Sequence, residues 1–478
     1  MADGHAGDIS PLPDDAVRAL KAAVGEKGWL DKREDLERFN HEERNYYRGE
    51  SPLVLRPADT AEVAAVVKIC AEYGIPICPQ GGNTGLVGGA VPGRGHVVIS
   101  LGRMDKLRAF DPVNATMTVE AGMILVDVQK NADEAGLLFP LSLAAEGTCQ
   151  IGGNLATNAG GIQVLRYGNA RDLVLGLEVV TAEGLIWDGL KGLRKNNTGY
   201  DLKHLFMGSE GTLGIITAAV LKLFPKPRET VTCMVAAESP ADLSALLGRL
   251  KEATGNQVNS FEYICRAAMQ AVFDHIDGSQ DPFTERYEHH ALTELASGQE
   301  GTLMELVEAT LADAFEAGEI IDAVIAQTGE QAAKLWHIRE HIPEALKYTG
   351  PSAKHDISVP VSSIPDFLAK ANAHAEKVIP GVTIMAFGHM GDGNLHYNLV
   401  MPKDMPSAEA ERLRHAVPPG VHDIADSFGG SFSAEHGIGL MKVHEMDRYK
   451  SDVEKSLLRT LKHALDPMGI LNPGKVVP

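Results

Sequence analysis

Three glycine-rich segments in the first half of the chain constrain its fold more than any other feature. They read CPQGGNTGLVGG (residues 78–89), GTCQIGGNLATNAGG (residues 147–161) and GSEGTLGIIT (residues 208–217). Consecutive backbone N–H groups in such loops form concave anion sites that suit a pyrophosphate. The first segment is neither a Walker loop nor a GxGxxG fingerprint, and alone it is as typical of a tight turn. Three such loops in one domain indicate a dinucleotide site.

Length, composition and charge limit the class of protein. With 478 residues, 44% of them hydrophobic and 23% charged, the chain is typical of a globular protein with two domains. A formal net charge of −20 would on average repel a phosphate backbone, so we expect no nucleic-acid partner. The five cysteines are scattered without a CxxC pair, which indicates reduced thiols rather than a disulfide framework or a zinc ribbon.

No segment of the sequence is predicted to cross a membrane. The most apolar early stretch, residues 63–78, is short and is interrupted by Lys68 and Glu72. The first residues, MADGHAGDISPLPDD, lack the basic region and apolar core of a signal peptide, and they are acidic where a transit peptide is rich in arginine. We therefore expect a cytoplasmic protein.

The apolar periodicity predicts a change of architecture near Pro225 and Pro227. Before these prolines, short β-branched runs alternate with helical patterns between the glycine loops. After them, repeated strand–helix–strand units predict an antiparallel sheet with helices on one face. The tail is predicted to be helical over residues 408–427 and 451–465.

Histidines and a carboxylate in two later segments form a second candidate site. In AFGHMGDGNLHYNLV, His389 and His396 lie on opposite arms of a strand–turn–strand pattern, from which two imidazoles can converge. The segment SAEHGIG adds Glu435 and His436, and two histidines with a carboxylate are a recurrent ligand set for Zn²⁺, Mn²⁺ or Fe²⁺. Asn398 shares a strand face with His396 and could fix a ligand or substrate oxygen. A lone histidine beside a glycine turn is usually structural, so the spacing alone leaves metal binding and a structural role open.

The glycine-rich segments resemble the FAD-binding domain of the vanillyl-alcohol oxidase/p-cresol methylhydroxylase family, in which two α+β subdomains enclose the cofactor. The resemblance implies that residues 79–85 surround the pyrophosphate and that Ile215 meets the adenine and ribose. Some members attach FAD through a histidine in the first loop, where this chain has Asn83, so non-covalent FAD is expected. The cofactor-binding residues implied are Pro79, Gly81, Gly82, Asn83, Thr84, Gly85, Thr148, Gly152, Gly153, Thr157, Asn158, Gly160, Ile215 and Asn472.

The hairpin, the SAEHG segment, NTGYDLKHLFMGSEGTLG and the terminal LNPGK are similar to the D-2-hydroxyglutarate and D-lactate dehydrogenase branch of that family, from about Leu53 to the end. The resemblance implies an α+β protein. Its FAD-binding domain of two subdomains would cover residues 1–226, and an α+β substrate (cap) domain with an antiparallel sheet would cover residues 227–425. A helical C-terminal segment, residues 426–478, would return to the FAD site.

The same resemblance assigns roles within the second site. It implies that His389, His396 and Glu435 bind a divalent metal, with zinc expected first and manganese or iron as alternatives. It implies that His436 is the catalytic base.

In that branch, an arginine and a lysine hold the substrate carboxylate, and Arg339 and Lys354 occupy the matching places. Without the resemblance, a surface ion pair is the commoner role for such residues. Asn398 is expected to contact substrate as well. Relatives that recognise hydroxyglutarate have a threonine where this chain has Pro343, which has no hydroxyl. D-Lactate and D-malate are therefore as open as D-2-hydroxyglutarate.

The activity implied is FAD-dependent oxidation of a D-2-hydroxy acid to the 2-oxo acid, by hydride transfer to flavin N5 with metal-assisted deprotonation of the hydroxyl. A glycolate oxidase-type flavin subunit, or another alcohol oxidase of this fold, is the alternative enzyme. A non-catalytic flavin- or metal-binding protein is a third hypothesis, and the joint presence of His436, Arg339 and the metal trio counts against it. The expected electron acceptor is an electron-transferring flavoprotein, a cytochrome or a quinone, and a homodimer is left open.

Overall fold

The computed structural model describes residues 12–477. Residues 1–11 and Pro478 lie outside this range. The expectation that the chain has no leader rests largely on residues 1–11. The described chain divides into two compact units. The first combines the residues up to Gly160 with Asn169–Phe224 and the segment from Glu435 onward, and the second combines Gly161–Gly168 with Pro225–Ala434.

The second unit extends beyond the break expected at residues 425/426. Val421 and Ala425 are buried in its core, and Phe428 packs against the same cluster. Because these apolar residues continue to pack there, the chain leaves the second unit only after Ala434.

Strands and helices alternate through most of the described chain. The strands are β1 (Trp29–Leu30), β2 (Val54–Leu55), β3 (Ile77–Gln80), β4 (Val97–Ser100), β5 (Leu107–Asp111), β6 (Thr116–Glu120), β7 (Leu137–Leu138), β8 (Val174–Val180), β9 (Ile186–Gly189), β10 (Ile215–Lys222), β11 (Phe224–Pro225), β12 (Glu229–Ala237), β13 (Val258–Cys265), β14 (His289–Ser297), β15 (Asp322–Ile325), β16 (Ser352–Ser358), β17 (Thr383–His389) and β18 (Asn394–Val400). The helices are α1 (Asp14–Val24), α2 (Arg33–Leu36), α3 (Thr60–Tyr73), α4 (Leu125–Glu134), α5 (Ile151–Ala156), α6 (Val164–Tyr167), α7 (Lys203–Phe206), α8 (Pro240–Ala253), α9 (Arg266–His275), α10 (Leu303–Glu316), α11 (Gly329–Glu340), α12 (Ile342–Thr349), α13 (Ile364–Val378), α14 (Ser407–Ala416), α15 (Pro418–Ser427), α16 (Val443–Tyr449) and α17 (Asp452–Leu465).

The first unit contains two α+β layers. One is a four-stranded sheet in the order β1-β2-β4-β3, in which β2, β4 and β3 pair in parallel and β1 is antiparallel to β2. The other is a five-stranded antiparallel sheet in the order β5-β6-β10-β8-β9. Helix α3 begins at the N-cap Asp59, which accepts from the Glu62 N–H, and ends at Gly74 in the left-handed conformation. The first glycine loop leaves β3 and the third leads into β10, so both loops are anchored on strands.

The second unit is built on a seven-stranded antiparallel sheet in the order β15-β12-β14-β13-β17-β18-β16. The expectation that helices cover one face was wrong. Helices α8, α10, α13, α14 and α15 pack on one face, and α9, α11 and α12 pack on the other. The reason is visible in β12, where Val231, Cys233 and Val235 are buried on the first side and Met234 and Ala236 on the second. A strand that is apolar at nearly every position is typical of a sheet covered on both sides.

The helix predicted over residues 408–427 is two helices, α14 and α15, that meet at Val417. Pro418 and Pro419 follow this residue. Because proline lacks an N–H and its ring clashes with the preceding turn, one helix cannot continue through them.

Candidate active site

The three glycine loops of the first unit line one shared cavity. Most of the predicted cofactor residues line this cavity, and Thr148 lines the adjoining polar recess instead. The residues that line the cavity are Pro79, Gly81, Gly82, Asn83, Thr84, Gly85, Gly152, Gly153, Thr157 and Ile215. His436 lines the same cavity. The glycine-rich segments therefore predict the position of the cavity. Gln150 and Glu210 also line the cavity, and neither was among the predicted cofactor residues.

The residues of this cavity fit a bound dinucleotide. A Cβ atom on Gly82 would lie 2.3 Å from the Thr148 carbonyl oxygen, so only glycine lets the two loops approach this closely. Two buried acceptors, Gln150 Oε1 and Asn83 Oδ1, have no hydrogen-bond partner among the described residues. Because buried polar atoms are normally satisfied, these atoms indicate that a polar ligand belongs in the cavity.

Asn83 is fixed from outside its loop. Its Nδ2 donates to the His41 carbonyl at 2.7 Å, and its φ of 56° lies in the left-handed region that asparagine tolerates. A histidine distant in sequence thus adjoins the loop through its backbone. The expectation of non-covalent FAD stays a prediction.

Three predicted cofactor residues line neither the cavity nor the adjoining recess. Asn158 Oδ1 accepts from the Arg171 N–H at 3.0 Å. Asn472 is 1% exposed, and its Nδ2 donates to the carbonyls of Gly89 and Glu210. These two asparagines hold the loops in place, so a direct contact with FAD stays a prediction for them.

Gly160, the third of these residues, provides space for Glu435. A Cβ atom on Gly160 would lie 2.7 Å from Glu435 Oε1. The metal carboxylate expected from the sequence therefore sits against the second glycine loop within the first unit.

Replacing Gly160 with alanine is expected to displace the Glu435 carboxylate and leave the fold intact, because the clash falls on the end of a flexible side chain. If Glu435 is a metal ligand, metal affinity should fall about tenfold or more. Metal and FAD content per chain measure this effect. Gly147→Ala is the control, since a Cβ there meets no atom within 4 Å. Unchanged metal affinity in Gly160→Ala would contradict the expectation.

Glu210 fixes the loop that carries His436. This buried carboxylate accepts from the N–H groups of Ile438 and Gly439 at 2.7 and 2.9 Å. Burial raises the pKa of Glu210 above its ordinary value, and the two N–H donors partly offset the effect. A Cβ on Gly437 would lie 2.6 Å from Glu210 Oε1, so glycine is needed beside His436. The position of His436 in the cavity wall is thus set by contacts outside its own segment.

The second unit gathers polar residues on the sheet face that α11 covers. Strand register places Glu262 opposite His389, Phe387 opposite His396, and Lys354 opposite Asn398. Residues paired in this way lie on one face of a sheet. The His389 and His396 rings are 5.8 Å apart, so the two arms of the hairpin bring the imidazoles together as the sequence predicted.

Glu262 contacts both His389 and Arg339. Its Oε1 accepts from His389 Nδ1 at 2.6 Å, and its Oε2 accepts from Arg339 Nε at 2.7 Å. Burial raises the pKa of Glu262, but the charges of His389 and Arg339 and their hydrogen bonds outweigh burial and hold that pKa at about 2. The carboxylate can only accept, so the proton of neutral His389 lies on Nδ1 and the lone pair on Nε2.

The contacts of Arg339 leave part of its guanidinium for a ligand. Nε is used by Glu262, and the guanidinium carbon lies 4.9 Å from the Phe387 ring centroid. The side chain is 8% exposed. An arginine held flat in this way can present its remaining N–H groups to a carboxylate.

Two asparagines on β18 differ in the hydrogen bonds that their side-chain amides form. Asn398 Nδ2 donates to the carbonyls of Met385 and His396, and the residue is buried between strands. Asn394 Nδ2 donates to Asp356 Oδ1 at 3.0 Å, whereas its buried Oδ1 has no partner among the described residues. Asn394 is therefore a second candidate for a ligand contact, beside Asn398. The sequence analysis missed it, although it lies two residues before His396 just as Asn398 lies two after.

The remaining predicted residues of this unit lie near the same edge of the sheet. Lys354 is exposed on the outermost strand, β16, and Pro343 is the second residue of α12. His396 Nδ1 lies 3.9 Å from Asp356 Oδ1, and Asp356 faces His396 in the strand register. His389 and His396 belong to the second unit, whereas Glu435 and His436 belong to the first.

Comparison with known proteins gives concordant results. The sequence matches the family described as FAD linked oxidases, C-terminal domain, over residues 226–476, and an FAD binding domain family over residues 51–189. D-2-hydroxyglutarate dehydrogenase, mitochondrial, of Arabidopsis thaliana is 39% identical over 98% of this chain and 83% of its own length. D-2-hydroxyglutarate dehydrogenase of Xanthomonas citri pv. viticola is 39% identical over 97% of both chains. A putative mitochondrial D-lactate dehydrogenase of Schizosaccharomyces pombe is 34% identical over 98% of this chain and 90% of its own length.

Solved structures show the same fold at lower identity. A p-cresol methylhydroxylase with bound substrate matches with a TM-score of 0.75 and 21% identity over 96% of each chain. A 4-ethylphenol oxidase from Gulosibacter chungangensis matches with a TM-score of 0.73 and 18% identity, again over 96% of each chain. The α+β fold class expected from the sequence is confirmed. Within residues 12–477, every helix is too short or too polar to span a bilayer.

Proposed function

This chain belongs to the FAD-linked D-2-hydroxyacid dehydrogenases of the vanillyl-alcohol oxidase/p-cresol methylhydroxylase family, and we propose that a metal bound by two histidines and a glutamate assists its reaction. The chain oxidises a D-2-hydroxy acid to the 2-oxo acid with FAD. The metal, its ligands, the residues that bind substrate and the preferred acid are the parts that we propose.

One observation carries the proposal. Glu262 joins Arg339 and His389 through its two carboxylate oxygens, at 2.7 and 2.6 Å. A carboxylate-binding group and a metal-binding imidazole are thereby held next to each other. A 2-hydroxy acid carries its carboxylate and its hydroxyl on adjacent carbons. The spacing of the two protein groups suits that arrangement.

The donor set supports a divalent metal. His389 presents Nε2 because Nδ1 is bound to Glu262, a contact that is typical of histidines that ligate metals. His396 supplies a second imidazole, and we propose Glu435 as the carboxylate. Two nitrogens and an oxygen suit Zn²⁺ first, with Mn²⁺ or Fe²⁺ as alternatives.

In the proposed mechanism, Arg339 binds the substrate carboxylate through the N–H groups that Glu262 does not use, with Lys354 adding positive charge and Asn394 or Asn398 a polar contact. His436 removes the hydroxyl proton, a role suited to imidazole because it gains and loses a proton near neutral pH. When bound, the flavin supplies the hydride acceptor and the metal supplies a Lewis acid for the hydroxyl. Glu210 holds the His436 loop against the cavity during this step.

Anaerobic titration of the purified protein tests the proposal. D-Lactate, D-malate, D-2-hydroxyglutarate, glycolate and the L-enantiomers are added in turn while flavin absorbance and metal content are measured on one sample. We expect bleaching by at least one D-2-hydroxy acid and none by its L-enantiomer. Bleaching by glycolate alone would favour the glycolate oxidase-type alternative. Pro343 offers no hydroxyl to a second carboxylate, so we expect the shorter acids to compete well with hydroxyglutarate.

Several expectations from the sequence stay predictions. Release of FAD by denaturation would test the non-covalent linkage. The electron acceptor (an electron-transferring flavoprotein, a cytochrome or a quinone), a homodimer and a cytoplasmic location stay predictions as well.

A further inference from the structure

Glu262 lies at the centre of a connected group in the second unit that no sequence motif indicated. It is 0% exposed and sits in the middle of β13, with His389 directly opposite in the register. Its two oxygens are used by two different partners, His389 and Arg339. Phe387 packs against Arg339 with its ring and lies 5.1 Å from the His396 ring.

We propose that Glu262 is a positioning residue that sets metal affinity through His389 and substrate-carboxylate binding through Arg339 at the same time. The inference rests on the proposed function of these two partners. It adds a residue that touches neither ligand directly and that couples the two halves of the substrate site.

His389 is the partner through which Glu262 would act on the metal. A carboxylate has no proton to donate, so His389 Nδ1 must be the donor in the 2.6 Å contact. This fixes the tautomer in which Nε2 carries the lone pair that a metal requires. Carboxylates in this position also fix ring orientation, and their loss typically costs 10- to 100-fold in metal affinity.

Arg339 is the partner through which Glu262 would act on the substrate carboxylate. Its side chain is 8% exposed, and within the described residues Glu262 is the carboxylate paired with it. The ion pair cancels the guanidinium charge inside the protein and turns the remaining N–H groups away from Glu262. We therefore expect the geometry of carboxylate binding, and hence KM, to depend on Glu262.

The test compares Glu262→Gln with a matched control, Glu294→Gln. Glu294 is a partly buried glutamate on the adjacent strand β14, and it accepts from Asn259 Nδ2 at 3.1 Å. A glutamine at position 262 keeps the shape of the side chain. Its amide N–H₂, however, would face either the N–H of His389 or the N–H of Arg339, so that two donors oppose each other. Zn²⁺ affinity of the metal-depleted, FAD-loaded protein is measured by competition with a chromogenic chelator. Steady-state kcat and KM are measured separately.

We expect Glu262→Gln to lower Zn²⁺ affinity 10- to 100-fold and to raise KM about tenfold or more, with Glu294→Gln unchanged in both. Glu262→Asp keeps the charge but shortens the side chain, so its Zn²⁺ affinity and KM should lie between those of Glu262→Gln and Glu294→Gln. It also replaces Glu262→Gln in the test if that variant fails to fold. Wild-type affinity and KM in both Glu262 variants would overturn the inference, as would equal losses in Glu294→Gln. A wild-type protein that binds no metal would instead refute the proposed function.

Discussion

Replacing His436 with alanine is expected to slow flavin reduction by a D-2-hydroxy acid roughly 10²- to 10⁴-fold, the usual contribution of a positioned general base. FAD should stay bound, because His436 is one residue in a cavity lined mostly by residues of the three glycine loops. Anaerobic stopped-flow measurement of the reduction rate, with FAD content determined on the same sample, checks both expectations.

The control for this variant is His415→Ala, which removes a histidine whose side chain is 74% exposed on α14. We expect the flavin-reduction rate and the FAD content of His415→Ala to equal those of the wild type. His436→Gln should be as slow as His436→Ala, since an amide cannot take the proton. A His436→Ala protein that reduces its flavin at the normal rate would show that the base is another group.

Replacing Arg339 with lysine is expected to reduce kcat/KM roughly 10²-fold, which corresponds to a loss of about 2–3 kcal/mol in transition-state stabilisation. Lysine keeps the charge for Glu262 but loses the planar fork that can bind Glu262 through Nε and the substrate through its other N–H groups. Arg339→Ala should lose more. It should also lower the free energy of unfolding by about 3–5 kcal/mol, because the buried charge of Glu262 loses its ion pair and keeps only the hydrogen bond from His389. Steady-state kinetics and denaturant unfolding measure the two effects.

Arg249→Lys is the matched control for this prediction. Arg249 forms a two-bonded pair with Glu319 in the same unit, at 2.8 and 2.7 Å, but its side chain is 34% exposed. Such surface pairs contribute about 0–1 kcal/mol, so we expect little change in stability and none in KM. Similar losses in both lysine variants would mean that Arg339 acts only as part of an ion pair.

The sequence predicted the parts of the site that lie within short segments. The glycine loops form one cavity, and the His389/His396 hairpin brings two imidazoles together, because turn residues and strand alternation encode these features locally. Helix α17 also lies where the apolar periodicity predicted a helix, over residues 451–465.

Residues that depend on distant pairing were missed. Glu262 lies 127 positions before His389, and only the pairing of β13 with β17 makes them neighbours. A signal was present, since VNSFEYIC is an apolar strand interrupted by one carboxylate, and buried carboxylates are almost always paired. Glu210 gave less indication, because its role depends on N–H groups of a loop more than two hundred residues away.

The metal is the claim on which the rest depends, and metal removal tests it most directly. The protein is treated with a chelator, its metal content is verified, and flavin reduction by the best D-2-hydroxy acid is followed anaerobically before and after Zn²⁺, Mn²⁺ or Fe²⁺ is returned. We expect a yellow, FAD-loaded protein whose flavin is not reduced until one of these ions is restored. Reduction at the original rate in verified metal-free protein would contradict it.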